Sequence, residues 1–164
     1  MPGMTDPSDA LKIFQDAMLA GPVELERGQV DPSVYVHLHR GHRIPQYTFV
    51  YLDGKTVRAF STFALNGTYK GSPNLAVGYA VPDAFRNKGL AKAILRAGIA
   101  ELQNGFRGMP PFYVEAVVSE QNIASLRVAE AVLGKELERF KDGLSRGPAV
   151  RFGCKFEAVP SQSR

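Results

Sequence analysis

The chain has 164 residues, 45% of them hydrophobic and 22% charged, and its 20 Lys and Arg against 16 Asp and Glu leave a net charge of +4. One globular domain over residues 1–164 is the simplest organisation, and the composition excludes wholesale disorder, a collagen-like repeat and a coiled coil. The single cysteine, Cys154, excludes an intramolecular disulfide framework and a cysteine-rich zinc site, while the mild basic excess suits an anionic small molecule or a nucleic acid without choosing between them.

The opening Met1-Pro2-Gly3-Met4-Thr5-Asp6-Pro7 lacks a basic segment followed by an apolar one, and no apolar run reaches the roughly 20 residues needed to span a bilayer. No membrane partner and a cytoplasmic location are therefore expected. A first helix fits Ser8 to Ala20, with Ser8 or Asp9 as N-cap and Leu11, Phe14, Met18 and Leu19 on one face; Gly21-Pro22 stops it. Val34, Val36 and Leu38 alternate with Tyr35, His37 and His39 as in a half-buried strand. Strands over Gln46–Leu52 and Thr56–Leu65 flank Asp53-Gly54, a hairpin signal. Asn66 to Asn74 is polar and Gly-rich and reads as a loop, and Leu75–Val81 as a fourth strand.

The period then changes. Leu90, Ala91, Ile94, Leu95, Ile99 and Leu102 mark an amphipathic helix that ends near Asn104-Gly105. Phe112–Val118 is almost wholly apolar and reads as a fifth strand buried on both faces. A helix from about Asn122 to Leu133 stops at Gly134, and two strands, Glu136–Phe140 and Ala149–Phe156, follow. The order predicts an α/β (α+β mixed sheet) fold: an antiparallel meander, then strand–helix–strand–helix, then a C-terminal hairpin.

The stretch Val77 to Ala91 carries the clearest chemistry. A strand stops at Pro82, a short polar loop follows, and a helix begins at Gly89. The first N–H groups of a helix lack intrahelical acceptors and carry about half a positive charge, so they attract phosphate. Gly89 admits close approach of an anion, and Arg86 and Lys88 add charge. The implied ligand is a phosphate or pyrophosphate; the alternative is a plain strand-to-helix turn that happens to be basic. Neither a Walker loop nor a Gly-x-Gly-x-x-Gly turn is present.

Arg86-Asn87-Lys88-Gly89-Leu90-Ala91, preceded by Gly78-Tyr79-Ala80-Val81-Pro82, resembles the acyl-CoA loop of the GNAT N-acetyltransferase superfamily. Downstream, Glu115-Ala116-Val117-Val118 followed by Asn122-Ile123-Ala124-Ser125 is similar to the second motif of that family, with a spacing most like the branch of ribosomal-protein N-terminal acetyltransferases. The resemblance covers roughly residues 46–135. It implies fourth and fifth strands that splay apart, with acetyl-CoA as co-substrate in the gap. Backbone groups of Tyr79, Ala80 and Val81 would pair with its pantetheine, the N–H groups of Arg86, Asn87, Lys88, Gly89, Leu90 and Ala91 would hold its pyrophosphate, and Asn122 would contact the pantetheine arm. The implied reaction is transfer of an acetyl group to a primary amine by direct attack in a ternary complex. A lysine of pKa about 10.4 needs about 4.6 kcal/mol to be neutral at pH 7, an α-amine near 7.7 only about 1 kcal/mol.

Two side chains are candidates for moving protons. Glu115 is a carboxylate in an otherwise apolar strand, expensive to bury unless paired or functional, and so a candidate base; the alternative is a sheet-edge residue or a structural ion pair. It shares a strand face with Val117, where another branch of the family carries its catalytic glutamate. Many members of the family place a tyrosine acid seven residues after the motif asparagine, but here that position is Ala129. In the resembling branch the motif serine can serve, which points to Ser125 for the thiolate; the alternative is a first-turn serine bonded to backbone.

The first 45 residues depart from the family, which opens with a strand and two helices that shape the acceptor pocket. The acceptor, a small-molecule, protein or peptide amine, is left open, as is whether the chain forms a homodimer. His37, His39 and His42 read as a polar sheet face rather than a metal site, and no metal is expected. Glu24, Glu26 and Asp31 could hold a cationic acceptor or simply form a solvated loop. Arg127, Lys135, Arg139, Lys141, Arg146 and Arg151 cluster late, but no nucleic-acid signature accompanies them and nucleic acid is not expected as a partner. The alternative to an enzyme is a non-catalytic acyl-CoA-binding module on the same fold.

Overall fold

The computed structural model describes residues 6–39, 45–141 and 147–161. Its first helix, α1 (Pro7–Ala20), starts earlier than expected because Asp6, not Ser8 or Asp9, is the N-cap: its carboxylate accepts from the Ser8 N–H at 2.8 Å and Pro7 takes the first helical position. Leu11, Phe14 and Met18 are buried, whereas Leu19, expected on that face, is 63% exposed because it lies one residue round the helix from Met18.

Among the described residues eight strands follow: β1 (Glu26–Arg27), β2 (Tyr35–His39), β3 (Gln46–Asp53), β4 (Thr56–Tyr69), β5 (Ser72–Ala80), β6 (Phe112–Ser119), β7 (Glu136–Lys141) and β8 (Pro148–Phe156). They form one sheet in the order β1-β2-β3-β4-β5-β6-β8-β7, antiparallel except for the parallel β5–β6 pair. Helix α2 (Leu90–Gly105) connects that pair and α3 (Ile123–Leu133) follows β6. This is the expected mixed sheet with one added edge strand, β1.

Two expectations fail locally. Asn66–Asn74 is not a loop, because β4 runs on to Tyr69 and β5 starts at Ser72 around Lys70-Gly71, both with positive φ. A two-residue turn of that kind matches the twist of its strands, and polar composition marks only a hairpin end beyond the core. Nor is β6 buried on both faces: Phe112, Val114, Ala116 and Val118 are buried while Val117 is 49% exposed. Both α2 and α3 pack on the same face of the sheet and touch each other, whereas α1 packs on β4 and β5 from the opposite side.

Two cores result. The larger one lies under α2 and α3 and includes Phe49, Phe63, Leu75, Ile94, Leu95, Phe112 and Val150. The smaller seats Leu11, Phe14 and Met18 of α1 on Val50, Val57 and Phe60. Close approach of α2 to the sheet is set by Gly98, where a Cβ would stand 2.7 Å from the Phe63 ring. The segment between α1 and β2 is fastened to α2 by Glu101. Its buried carboxylate accepts the backbone N–H groups of Gln29 at 2.6 Å, Val30 at 2.9 Å and Asp31 at 2.9 Å.

Candidate active site

Strand pairing creates the cleft. β5 and β6 pair only over Asn74–Ala76 and Tyr113–Glu115; beyond Ala76 the ladder stops, while β5 remains paired to β4 as far as Ala80. The edge of β5 from Val77 onward therefore faces a gap, with its outward backbone groups open to a ligand. The expected splay lies between these two strands, and Tyr79, Ala80 and Val81 line its mouth.

Beyond the mouth, a single 3₁₀ turn over Asp83–Phe85 leads into the loop before α2. Asn87 has φ 64° and Gly89 φ 73°, both left-handed, so the chain doubles back just before the helix starts. The Arg86 N–H donates to Asp83 O, and the next backbone donor with a partner in the protein is the Ala93 N–H, to Gly89 O. The N–H groups of Asn87, Lys88, Gly89, Leu90 and Ala91 thus form an open positive end, and a Cβ on Gly89 would meet nothing within 4 Å. These features fit an anion. Arg86 itself is turned back on the loop: Nη1 lies 2.9 Å from Asp83 Oδ1, and Nε donates to Val81 O at 3.1 Å. Its charge shapes the loop and is partly offset by Asp83. Lys88 lies over the Phe85 ring.

Across the gap, Asn122 is the N-cap of α3, its side chain accepting the Ser125 N–H at 3.1 Å. Ser125 therefore sits in the first turn, as its alternative reading held, but its hydroxyl is also engaged: Oγ donates to the Tyr79 hydroxyl at 3.1 Å, and that hydroxyl donates to Ser125 O at 2.8 Å. Tyr79 reaches from β5 to α3 on the helix-pair face. Burial pushes its phenol up to about 12, opposed by the hydrogen bond from Ser125. The motif points to the backbone of Tyr79 alone, and the hydroxyl contact with Ser125 is additional to it. The missing signal was a register: Tyr79 pairs with Ser61, whose hydroxyl bonds to Ile94 O of α2, so both face the helices.

Glu115 lies on the other side of the sheet, at the vertex where β5 and β6 part. Its Oε2 accepts a close hydrogen bond from Asn74 Nδ2, and its Oε1 lies 3.3 Å from Arg151 Nη1. The side chains of Glu115 and Arg151 are 13% and 24% exposed, so the pair is largely withdrawn from water. Arg151 also faces Glu138 at 3.4 Å and lies over the Tyr69 ring. Asn74 and Arg151 were not singled out as site residues, since their tie to Glu115 needs three strands in register. Farther along the same face, the His37 and His39 rings stand 4.4 Å apart, bonded to Glu24 O and to the Thr48 hydroxyl respectively.

The remaining expectations scatter. Glu26 lies on β1, five strand positions from β6, and Asp31 Oδ1 is taken by the Ser33 N–H and hydroxyl, so neither joins Glu115. Of the late basic cluster, Arg139 is paired with Glu120 and Glu136 and Arg151 with Glu115 and Glu138. His42 and Arg146 lie outside the described residues. Among the described residues, no three His, Cys, Asp or Glu side chains converge as metal ligands, and no helix is long and apolar enough to cross a membrane.

No protein-family model and no curated protein matches the chain by sequence. Solved structures do match by fold. The GNAT domain of S. lividans PAT aligns with TM-score 0.52 and 21% identity over 68% of this chain and 61% of its own. RimL, the ribosomal L7/L12 alpha-N-protein acetyltransferase solved with coenzyme A, aligns with TM-score 0.53 and 14% identity over 69% and 63%. The NatC complex bound to Gag peptide and CoA aligns with TM-score 0.54 and 13% identity over 93% of this chain and 83% of the matched one. The chain spans about three fifths of the length of the first two. Its fold is the GNAT fold, and ribosomal-protein acetyltransferases are among its structural neighbours.

Proposed function

We propose that this protein is an acetyl-CoA-dependent N-acetyltransferase, a single domain with its two motifs in residues 46–135. The observation that carries the reading is the parting of β5 from β6 directly beside an unpaired helix N-terminus, a slot with an anion-binding end. Asn87 to Ala91 would hold the pyrophosphate through backbone N–H groups, with Arg86 ordering the loop and Lys88 adding charge. The open edge of Tyr79, Ala80 and Val81 would pair with the pantetheine, and Asn122 would stand beside that arm.

Acetyl-CoA supplies an activated thioester. An amine attacks its carbonyl carbon, the C–N bond forms, and the C–S bond breaks as thiolate leaves. A backbone N–H of the open β5 edge can stabilise the oxyanion between those events. Glu115 would take the amine proton on the α1 face, and Ser125, backed by Tyr79, would give a proton to the thiolate from the helix face. The acceptor we favour is the α-amine of a protein or peptide, which needs little help to lose its proton. Two structural neighbours support that preference, one named as an α-N-protein acetyltransferase and one bound to a peptide.

Calorimetry with acetyl-CoA tests the slot, and thiol release over a panel of peptide N-termini, polyamines and small amines tests the chemistry. Saturable binding with acceptor-dependent thiol release is expected; absence of acetyl-CoA binding would overturn the proposal. A non-catalytic acyl-CoA-binding module is the second reading, favoured by one observation: both oxygens of Glu115 are already engaged by Asn74 and Arg151. It predicts binding without turnover across the same panel.

A further inference from the structure

At the end of the sheet where α2 begins, a cleft of about 440 Å³ opens between the start of β2, the end of β3, the start of β4 and the first turn of α2. No residue of β6 or α3 lines it, and it shares only Leu90 with the loop proposed to hold the pyrophosphate. Its size falls within the range of small-molecule pockets, about 300–1,000 Å³. Two arginines line it, Arg27 from β1 and Arg58 from β4.

Arg58 is there because of a break in the ladder. Tyr51 pairs with Ala59 and Leu52 with Val57, which leaves Arg58 as the extra residue of a β-bulge. Bulges re-aim side chains and recur beside functional sites. Arg58 has no carboxylate or hydrogen-bond partner among the described residues; its guanidinium lies 6.0 Å from the Phe85 ring centroid and acts on the Tyr51 phenol. Arg27 lies over the Tyr35 ring, and Nη1 donates to Pro32 O at 3.5 Å, also without an acid. The hydroxyls of Ser33 and Tyr51 line the same cleft. Asp31, whose charge acts on Tyr51 in opposition to that of Arg58, already accepts from the Ser33 N–H and hydroxyl.

We propose that this cleft is a second ligand site, which takes a small phosphomonoester carried on a flat apolar body. The guanidinium forks of Arg27 and Arg58 suit a phosphate, and the Tyr51 hydroxyl supplies a further donor. Tyr35, Leu52 and Leu90 supply apolar walls for the body of the ligand. Because Leu90 lines the cleft and Arg58 also lies against Phe85, whose other cationic neighbour is Lys88, an occupant would sit beside the loop proposed for coenzyme A.

The test is calorimetry with adenosine monophosphate as probe, alone and in saturating coenzyme A, on wild type, Arg27→Ala, Arg58→Ala and Arg58→Lys. Binding that persists in coenzyme A, weakens with added salt, falls at least tenfold in either alanine variant and recovers only in part in Arg58→Lys is expected. No binding, displacement by coenzyme A, or binding indifferent to both arginines overturns the proposal. The comparison of variants without coenzyme A stands even if the acetyltransferase reading fails, so the two outcomes are distinguishable.

Discussion

The two faces of the sheet where β5 and β6 part are built by different means. On the helix-pair face the candidate cofactor site is mostly backbone: an unpaired strand edge, a left-handed Gly89, and an N-cap at Asn122. On the α1 face the candidate acceptor site is a set of side chains paired across strands, Glu115 with Asn74 and Arg151, and His39 with Thr48. A backbone site tolerates change in most of its side chains, whereas a side-chain network changes with any one member. The contrast teaches that the shared co-substrate and the acceptor can be specified independently on one fold, and each variant below perturbs one face and asks whether the other responds.

The largest effect is expected from Glu115→Gln. If the carboxylate takes the amine proton, the variant keeps its bond to Asn74 but loses kcat by roughly 10²- to 10⁴-fold, while affinity for acetyl-CoA stays within about twofold. Stopped assays over pH with titration calorimetry check both halves. An unchanged kcat would assign Glu115 to the ion pair with Arg151 alone, and loss of acetyl-CoA affinity would break the independence of the faces.

The same contrast explains what the sequence made legible. The loop Arg86–Ala91 and the Asn122–Ser125 turn are contiguous, and their geometry follows from glycine, an N-cap and a helix period, all local properties. The partners of Glu115 are not local: Arg151 is 36 residues away and Asn74 is 41 residues away, brought together by register. A strand rich in valine cannot announce that one of its faces lacks a covering helix, which is why Phe112–Val118 reads as buried on both sides. The Tyr79 hydroxyl was hidden for a similar reason. A tyrosine beside a glycine on a strand has two faces available, and only the pairing of Tyr79 with Ser61 settles which. Polar composition misled at Asn66–Asn74 because a hairpin tip outside the core and a loop carry the same residues.

Glu101 joins the two regions, since it sits on α2 yet fastens the segment that leads to β2. Truncation in Glu101→Ala leaves three backbone donors without their acceptor in a buried place, and a loss of about 3 kcal/mol of stability is expected by urea denaturation. Residues 28–34 should become the first site of proteolysis. Acetyl-CoA affinity, measured well below the unfolding midpoint, should hold, because the slot lies at the other end of the helix.

Tyr79 gives an effect that changes sign at alkaline pH. Its phenol stands at about 12 in the folded protein, above an ordinary value of about 10, so the folded state holds that proton more tightly than the unfolded chain does. The resulting stability is complete below about pH 10 and is lost as the pH rises to about 12, a change of about 3 kcal/mol over two units. Tyr79→Phe cannot lose a proton there. The gap between wild type and variant in unfolding free energy from urea titrations, about 1 kcal/mol near neutrality from the lost hydroxyl, should close and then reverse across that window. A constant gap would show that the hydroxyl is solvated rather than held between β5 and Ser125.

The most selective effect on binding is expected at Gly89. Its φ of 73° is one that a β-branched residue resists, at a cost of roughly 1–2 kcal/mol, yet a Cβ there would touch nothing. Gly89→Val therefore tests the backbone site without disturbing packing. Acetyl-CoA affinity should fall by more than the strain alone explains, because the added side chain lies where an anion would approach the first N–H groups of α2. Gly89→Ala should sit between valine and wild type in affinity. Lys88→Gln, which removes charge and leaves the backbone untouched, should weaken binding less than Gly89→Val and mainly at low salt. If the order is reversed, side-chain charge rather than backbone geometry holds the anion, and the two faces of the sheet are built alike.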